Sequence, residues 1–294
     1  MKVIKPIPVT DAVFVSSTVT EAEYAAYSAA TNYAVSNRCI YNHVIYETVQ
    51  TPNTAHQPDI SPLFWAAVSP SNRWAMFDTE ISTQTVAASS LSVVIKPGYV
   101  NSLALFGLLG DSLTITVRDG LAGAVVYSKN ITLDGTIIAD YYQYFFEPSV
   151  ALQEVGLTDL PPYINAHITI AITGASVGCG ILIAGTMYEL GDTQLGASAG
   201  IIDYSRKDTS ASGITSFTKR KYSKRMSAQL WLNNAQLNKV QQVLTGLRAT
   251  PCAWIGTDTA GYESLTLFGF YRDFSLDVAY ADVSYCHLEI EGLT

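Results

Sequence analysis

The sequence predicts a mainly β chain in three parts. These are a small N-terminal unit over residues 1–71, a central β-sandwich or jelly roll over 72–198, and a C-terminal, barrel-like α+β domain over 199–294 with one covering helix. Three observations predict it. Short apolar runs recur with a period of two, the spacing of one face of a strand. Gly and Asp turns separate these runs. Helical signals occur in only two places. The length, 294 residues, suits two domains or three small ones.

The elements follow in chain order. Lys2 to Ser17 holds several β-branched residues and two prolines. Such an arm lies along a neighbour or covers its own sandwich. Thr20-Glu21-Ala22-Glu23 matches a capping box, in which the threonine oxygen takes the amide three residues on and the glutamate answers. A short helix from Glu21 to Ala29 is expected there. Val93 to Ile95 precedes the turn Lys96-Pro97-Gly98. Leu113, Ile115 and Val117 alternate with Thr114 and Thr116 up to the turn Asp119-Gly120. Val125 to Tyr127 and Ile131 to Leu133 are the next strands, closed by Asp134-Gly135. Tyr141 to Phe146 packs five aromatic rings into six positions. Alternation cannot bury both faces of a one-sided sheet, so some of these rings face a surface or another domain. Ile168, Ile170 and Ile172 alternate against Thr169 and Thr173, and Ile181 to Tyr188 is a further strand. Ala228 to Leu232 then leads into a helix from about Asn234 to Leu247. Its apolar face is Leu237, Val240, Val243, Leu244 and Leu247. Strands at Leu265 to Tyr271, Ser275 to Val278 and Ser284 to Ile290 complete the chain.

Hydrophobic residues make up 48% of the chain and charged ones 14%, against about a quarter charged in a typical soluble domain. This excludes general disorder. The net charge of −8 excludes a binder that neutralises nucleic-acid phosphates along its length. The charge is uneven: residues 1–200 carry a net −9 and residues 201–294 a net +1. Lys219-Arg220-Lys221 and Lys224-Arg225 form one basic run. It is either a solvated hairpin tip or a rim charge that meets an acidic neighbouring subunit. No apolar stretch is long enough to span a bilayer. No apolar segment follows a basic start, so no signal peptide is expected and synthesis in the cytoplasm is.

Chemistry-bearing patterns are few. Cys39, Cys179, Cys252 and Cys286 form no CxxC pair, and four buried, reduced thiols are expected. His43, His56, His167 and His287 are scattered, without metal-ligand spacing. No phosphate-cradling glycine loop is present, so no cofactor is implied. Gly174-Ala175-Ser176-Val177-Gly178 matches G-x-S-x-G, with Asp277 or Asp282 and His287 later in the chain. A nucleophile elbow needs a strand-to-helix turn at the serine. Here a strand pattern follows, so a hairpin turn explains the same residues. Glu189 with Asp192, and Asp140 with Glu147, lack the context that would raise a pKa for glycoside hydrolysis. Asn130-Ile131-Thr132 is a glycosylation-type triplet within a strand pattern.

The richest segment is Tyr27 to Val68, with Tyr33, Tyr41, Tyr46 and Trp65 in step and prolines at 52, 58 and 62. It resembles the small chitin-binding type-3 carbohydrate-binding module, whose pattern is Tyr-x-x-Gly-Asp-x-Val-x-Tyr-x-Gly-x-x-Tyr, then a proline loop and a tryptophan. The likeness covers about residues 25–70. It departs at Ser36-Asn37, where the pattern has Gly-Asp, and at Tyr27, which stands for a leading tryptophan. The resemblance implies that Tyr33, Tyr41, Tyr46 and Trp65 contact carbohydrate by ring stacking. Read from the residues alone, the same rings are the core of a small three-stranded unit.

Four further segments, Pro70 to Asp78, Leu157 to Tyr163, Gly200 to Lys207 and Ser284 to Thr294, together resemble structural proteins of tailed-phage tails and baseplates. This wider resemblance implies a non-enzymatic virion component near the tail tip. Its sandwich would be similar to galactose-binding-like jelly rolls. Its partners would be copies of itself, other tail proteins and cell-surface glycans. A stand-alone carbohydrate-binding adhesion protein is the second expectation, and a serine hydrolase using Ser176 the third.

Overall fold

The computed structural model describes every residue of the chain except 137, 147, 211 and 260. The molecule is mainly β, built on two large antiparallel sheets and a separate three-stranded unit. The alternation that predicted the strands decides their burial. Ser112–Asp119 and Ala166–Thr173 bury every second residue, and they pair along their full length. Flanked by Val125–Thr132 on one side and by Ser90–Ile95 and Phe14–Ser17 on the other, they form a five-stranded sheet. Its inner face carries Leu91, Val93, Leu113, Ile115, Ile168 and Ile170. These pack on Leu103, Leu105, Val155 and Leu182 of the second sheet. This two-layer packing is the sandwich. Burying so many branched chains supplies its main stabilising term.

The second sheet has ten strands and curls into a half-barrel. Its order runs Glu154–Leu157, Ser102–Phe106, Ile181–Glu189, Lys2–Pro6, Cys252–Ile255, Thr266–Val278, Val283–Gly292, Tyr222–Asn233 and Asp192–Thr193, with Ser198–Asp203 also on Tyr222–Asn233. The same sheet therefore serves the sandwich with one end and the C-terminal third with the other. Val240, Leu244 and Leu247 seat the helix Leu237–Gly246 in the curl, against Met226, Leu230 and Trp254. Trp254 is fully buried, and its Nε1 donates to Gly269 O at 2.9 Å. The curl also brings the first strand close to the Tyr222–Asn233 strand, where Lys224 pairs with Glu154. Burial holds the Glu154 carboxyl above the ordinary carboxylate range, and Lys224 pulls against that.

Some expectations change and others are refined. No helix forms over Glu21 to Ala29. The capping-box carboxylates are used at long range instead: Glu21 accepts from Ser71 Oγ at 2.7 Å, and Glu23 accepts from the Asn72 amide at 2.6 Å. Ala26 bridges Ile40 in extended backbone. Tertiary partners outweigh a weak local preference. The stretch from Lys2 to Ser17 splits into two strands, one in each large sheet, and so serves its own chain. Val125 to Tyr127 and Ile131 to Leu133 are one strand, Val125–Thr132, despite polar residues between them. The aromatic run Tyr141–Phe146 is a short helix with its five rings exposed and Gln143 half-buried, so the rings do face a surface. The C-terminal helix begins with a 3-10 turn at Asn234–Gln236, capped by Asn233 Oδ1 accepting from the Ala235 amide at 2.9 Å.

No helix among the described residues is long and apolar enough to cross a membrane. All four cysteines are free and buried. Burial pushes the Cys39 and Cys286 thiols up to about 11, and the Cys179 and Cys252 thiols up to about 12. The thiolate is the reactive form. Native protein is therefore expected to give no rapid reaction with Ellman's reagent, and four equivalents in denaturant. Rapid reaction of any one thiol in the native state would mean that its surroundings open.

Candidate carbohydrate-contacting site

The N-terminal unit is a meander of Arg38–Tyr41, Val44–Thr48 and Trp65–Pro70. Its first hairpin turns on Asn42 and His43, with φ of +46° and +66°. Two successive left-handed residues make the type I′ geometry that suits a two-residue loop. Ser36 also holds a left-handed φ, +68°. Both positions at which the module pattern carries glycine, Ser36 and His43, thus adopt the backbone that glycine favours. Cross-strand, Arg38 Nε donates to Glu47 Oε2 at 2.7 Å, and its guanidinium lies over the Tyr24 ring.

The four aromatic residues singled out in the sequence converge on one cluster. Tyr33 meets Trp65 edge to face at 4.9 Å. Tyr27 stacks on Tyr33 at 5.9 Å and turns its edge to Tyr41 at 5.7 Å. Tyr46 packs against the same group, beside Cys39. Such offset and edge contacts add about 0.5–1.5 kcal/mol per pair beyond area burial. The polar atoms are also matched: Tyr33 Oη accepts from the Ser28 amide at 2.8 Å, and Trp65 Nε1 donates to His56 O at 2.8 Å.

Exposure divides the four. Trp65 is 3% and Tyr33 7% exposed, so neither offers an open ring face. Tyr41 and Tyr46 are half-exposed, as is Tyr27. Burial raises the phenols of Tyr27 and Tyr46 above their ordinary value, and Asp59 adds to the rise at Tyr46. Asp59 is exposed and accepts from Gln57 Nε2 at 2.8 Å. The surface therefore combines tyrosine faces with a carboxylate and an amide. That combination can stack on a pyranose and bond its hydroxyls. Neither Gln57 nor Asp59 stands out in the sequence, since both lie in a loop without periodicity.

The unit is fastened to the sandwich through His43. Its Nδ1 lies 3.1 Å from both carboxylate oxygens of Glu21, and its Nε2 lies 3.0 Å from Asp11 Oδ1. Its ring stacks on Trp74 at 4.1 Å, and Trp74 packs on Phe14 and Phe77. Arg73 Nε adds a bond to Val19 O at 2.8 Å. A residue at a glycine position thus becomes the joint between two parts of the fold.

The other chemical candidates are not brought together. Ser176 lies in the bend between Ala166–Thr173 and Val177–Cys179, so the strand-to-helix turn of a nucleophile elbow is not formed. Asp277 and His287 sit on neighbouring strands, 3.6 Å apart, and Ser176 bonds to neither among the described residues. Glu147 lies outside the described residues, as noted above. Among the described residues no group of three or more His, Cys, Asp or Glu is placed to hold a metal ion. A cleft of about 630 Å³ between Asp192 to Ala199 and Ile255 to Leu265 has no histidine or cysteine in its lining. A scan against protein-family models finds no match to this chain, and no curated protein matches it.

Proposed function

We propose that the chain is a non-enzymatic structural component of a phage tail tip or baseplate. In this reading it assembles with copies of itself around the tail axis and with other tail proteins, and its N-terminal unit touches glycans on the host surface. The observation that carries the reading is the amount of aromatic surface left uncovered. Tyr141, Tyr142, Tyr144, Phe145 and Phe146 are all exposed in one short segment. Stable interfaces are rich in Tyr, Phe and Arg and poor in Lys and Glu, whereas a solvated monomer seldom exposes so dense a patch. The low charge content and the four tail-protein-like segments support the same reading.

For the glycan contact, Tyr41 and Tyr46 supply the open ring faces, Asp59 and Gln57 the hydroxyl partners, and Trp65 and Tyr33 the support beneath. Light scattering of the purified chain is expected to give masses at multiples of 31.8 kDa. On a glycan array, the double variant Tyr41→Ala/Tyr46→Ala is expected to lose at least about tenfold of the wild-type signal, since each stacked ring contributes on the order of 1 kcal/mol. A monomer at every concentration that binds glycans strongly would favour a stand-alone adhesion protein. A wild type silent on the array would remove glycans from the proposal.

A further inference from the structure

Two projections leave the body of the molecule, and their surfaces are opposite in character. The first is the arm around the helix Tyr141–Phe146. It is closed at its base by the Gly135 amide donating to Val150 O at 2.8 Å and the Leu152 amide donating to Leu133 O at 3.1 Å. Beyond that base, no hydrogen bond joins residues 138–146 to the rest of the chain among the described residues. Its contacts are internal: Asp140 Oδ1 accepts from the Gln143 amide at 2.8 Å, and Tyr142 packs on Phe146 at 5.2 Å. Tyr141 is 86% exposed. A six-residue helix is far below the length that persists alone in water.

The second projection is the hairpin of Arg206–Thr209 with Thr215–Thr218. Every residue of its second strand is exposed, including Phe217 at 76%, and Ile214 at the tip is exposed too. An isolated two-stranded hairpin is only marginally stable, so this element is also waiting for cover. Its root is basic. Residues 206–225 hold seven of the 17 Lys plus Arg, with Asp208 as their only acid. The segment before it is the reverse: residues 130–205 hold no Lys or Arg, and Asp134 and Asp140 flank the aromatic helix. Among the described residues, Lys207, Lys219 and Arg220 take part in no ion pair, while Lys221 reaches Glu80.

From this juxtaposition we infer that the arm 138–146 docks on the basic hairpin 206–220 of a second copy of this chain. Charge complementarity selects the occupant: the ring-rich arm offers π-faces and the Asp140 carboxylate with no cation of its own, and the hairpin offers cations with Phe217 and Ile214 between them. Among the described residues no contact joins the two surfaces within one chain, which leaves each free for a neighbour. Two different patches in contact make a heterologous interface, which closes into a ring or runs on as a filament, unless two copies exchange both contacts across a two-fold axis. The inference rests on the proposed self-assembly and names its surfaces.

The test uses full-length protein and light scattering. Tyr142→Ser/Phe145→Ser disables the arm, and Lys219→Glu/Arg220→Glu disables the hairpin. Each variant is expected to be a folded monomer, with its thermal midpoint unchanged. Mixed together they retain one working arm and one working hairpin, so a 1:1 dimer and nothing larger is expected. If the arm variant fails to fold, Asp140→Lys replaces it. A wild-type oligomer whose size neither variant changes overturns the arm-to-hairpin contact and leaves self-assembly standing. Monomeric variants that form no dimer on mixing overturn the heterologous pairing. A wild type that is monomeric at all concentrations overturns both proposals. If that monomer sediments with phosphatidylcholine vesicles, the arm belongs to a membrane instead.

Discussion

Trp65→Ala is expected to unfold the N-terminal unit while both large sheets stay folded. The aromatic core of this unit is built on Tyr33, Cys39 and Trp65, with Tyr27, Tyr46 and Phe64 packed around them. Deleting a buried tryptophan costs about 3–5 kcal/mol. A unit this small has about that much stability to lose. The indole also donates to His56 O, and its loss leaves that carbonyl without its donor. Hydrogen exchange reads the outcome residue by residue. The amides of Cys39, Tyr46 and Thr48 are expected to lose protection, while those of Ile115 and Ile170 keep theirs. If all five lose protection together, the unit does not unfold separately and the His43 joint couples it tightly to the sandwich. Because of this, any lost glycan signal in Trp65→Ala reports folding, and the tyrosine variants are the ones that report contact.

Trp254→Ala is expected to lower the stability of the C-terminal third by a similar amount, about 3–5 kcal/mol. Trp254 is fully buried and meets Tyr271 edge-on at 6.3 Å. It lies in the same core as Val240 and Leu244 of the covering helix. Removing it opens a cavity under the helix and takes the indole donor away from Gly269 O. For a chain of this size the thermal midpoint should fall on the order of 10 °C. Trp254→Phe keeps most of the volume and loses the hydrogen bond, so its smaller fall measures that bond. A loss below about 1 kcal/mol in Trp254→Ala would mean that the helix collapses into the space and that the site is loosely packed.

The strands whose inward face was legible in the sequence are those where the other face is wet. Leu113-Thr114-Ile115 and Ile168-Thr169-Ile170 announce their inward side, and the structure buries it. Ser102–Phe106 is buried on every residue, and a continuous apolar run carries no such signal. The helix ending at Leu247 was legible because its five apolar positions can share a face in only one way. The capping box misled because Thr20-Glu21-Ala22-Glu23 has no way to signal Ser71, Asn72 and His43, its actual partners. The convergence of Tyr33, Tyr41, Tyr46 and Trp65 is what the module resemblance implied. Which of them keep an open face was not, since that depends on where Tyr27 folds over them. His43 was not legible as a joint: in the sequence it is one of four scattered histidines. Its left-handed backbone costs on the order of 1 kcal/mol, and the Asp11, Glu21 and Trp74 contacts offset that.

The strand Lys2–Pro6 lies inside the ten-stranded sheet, between Ile181–Glu189 and Cys252–Ile255. During synthesis its Val3 and Ile4 gain one neighbour when Ile181–Glu189 has been made, and the second only when Cys252–Ile255 has. The sheet closes only then, through contacts of very large sequence separation, and closure of that kind is slow. The meander from Arg38 to Pro70 needs no such wait, because its strands are near neighbours in sequence. The strand Lys2–Pro6 thus completes its set of neighbours long after the meander has formed. A nascent chain stalled before Cys252 would hold a finished N-terminal unit beside an open, aggregation-prone sheet edge.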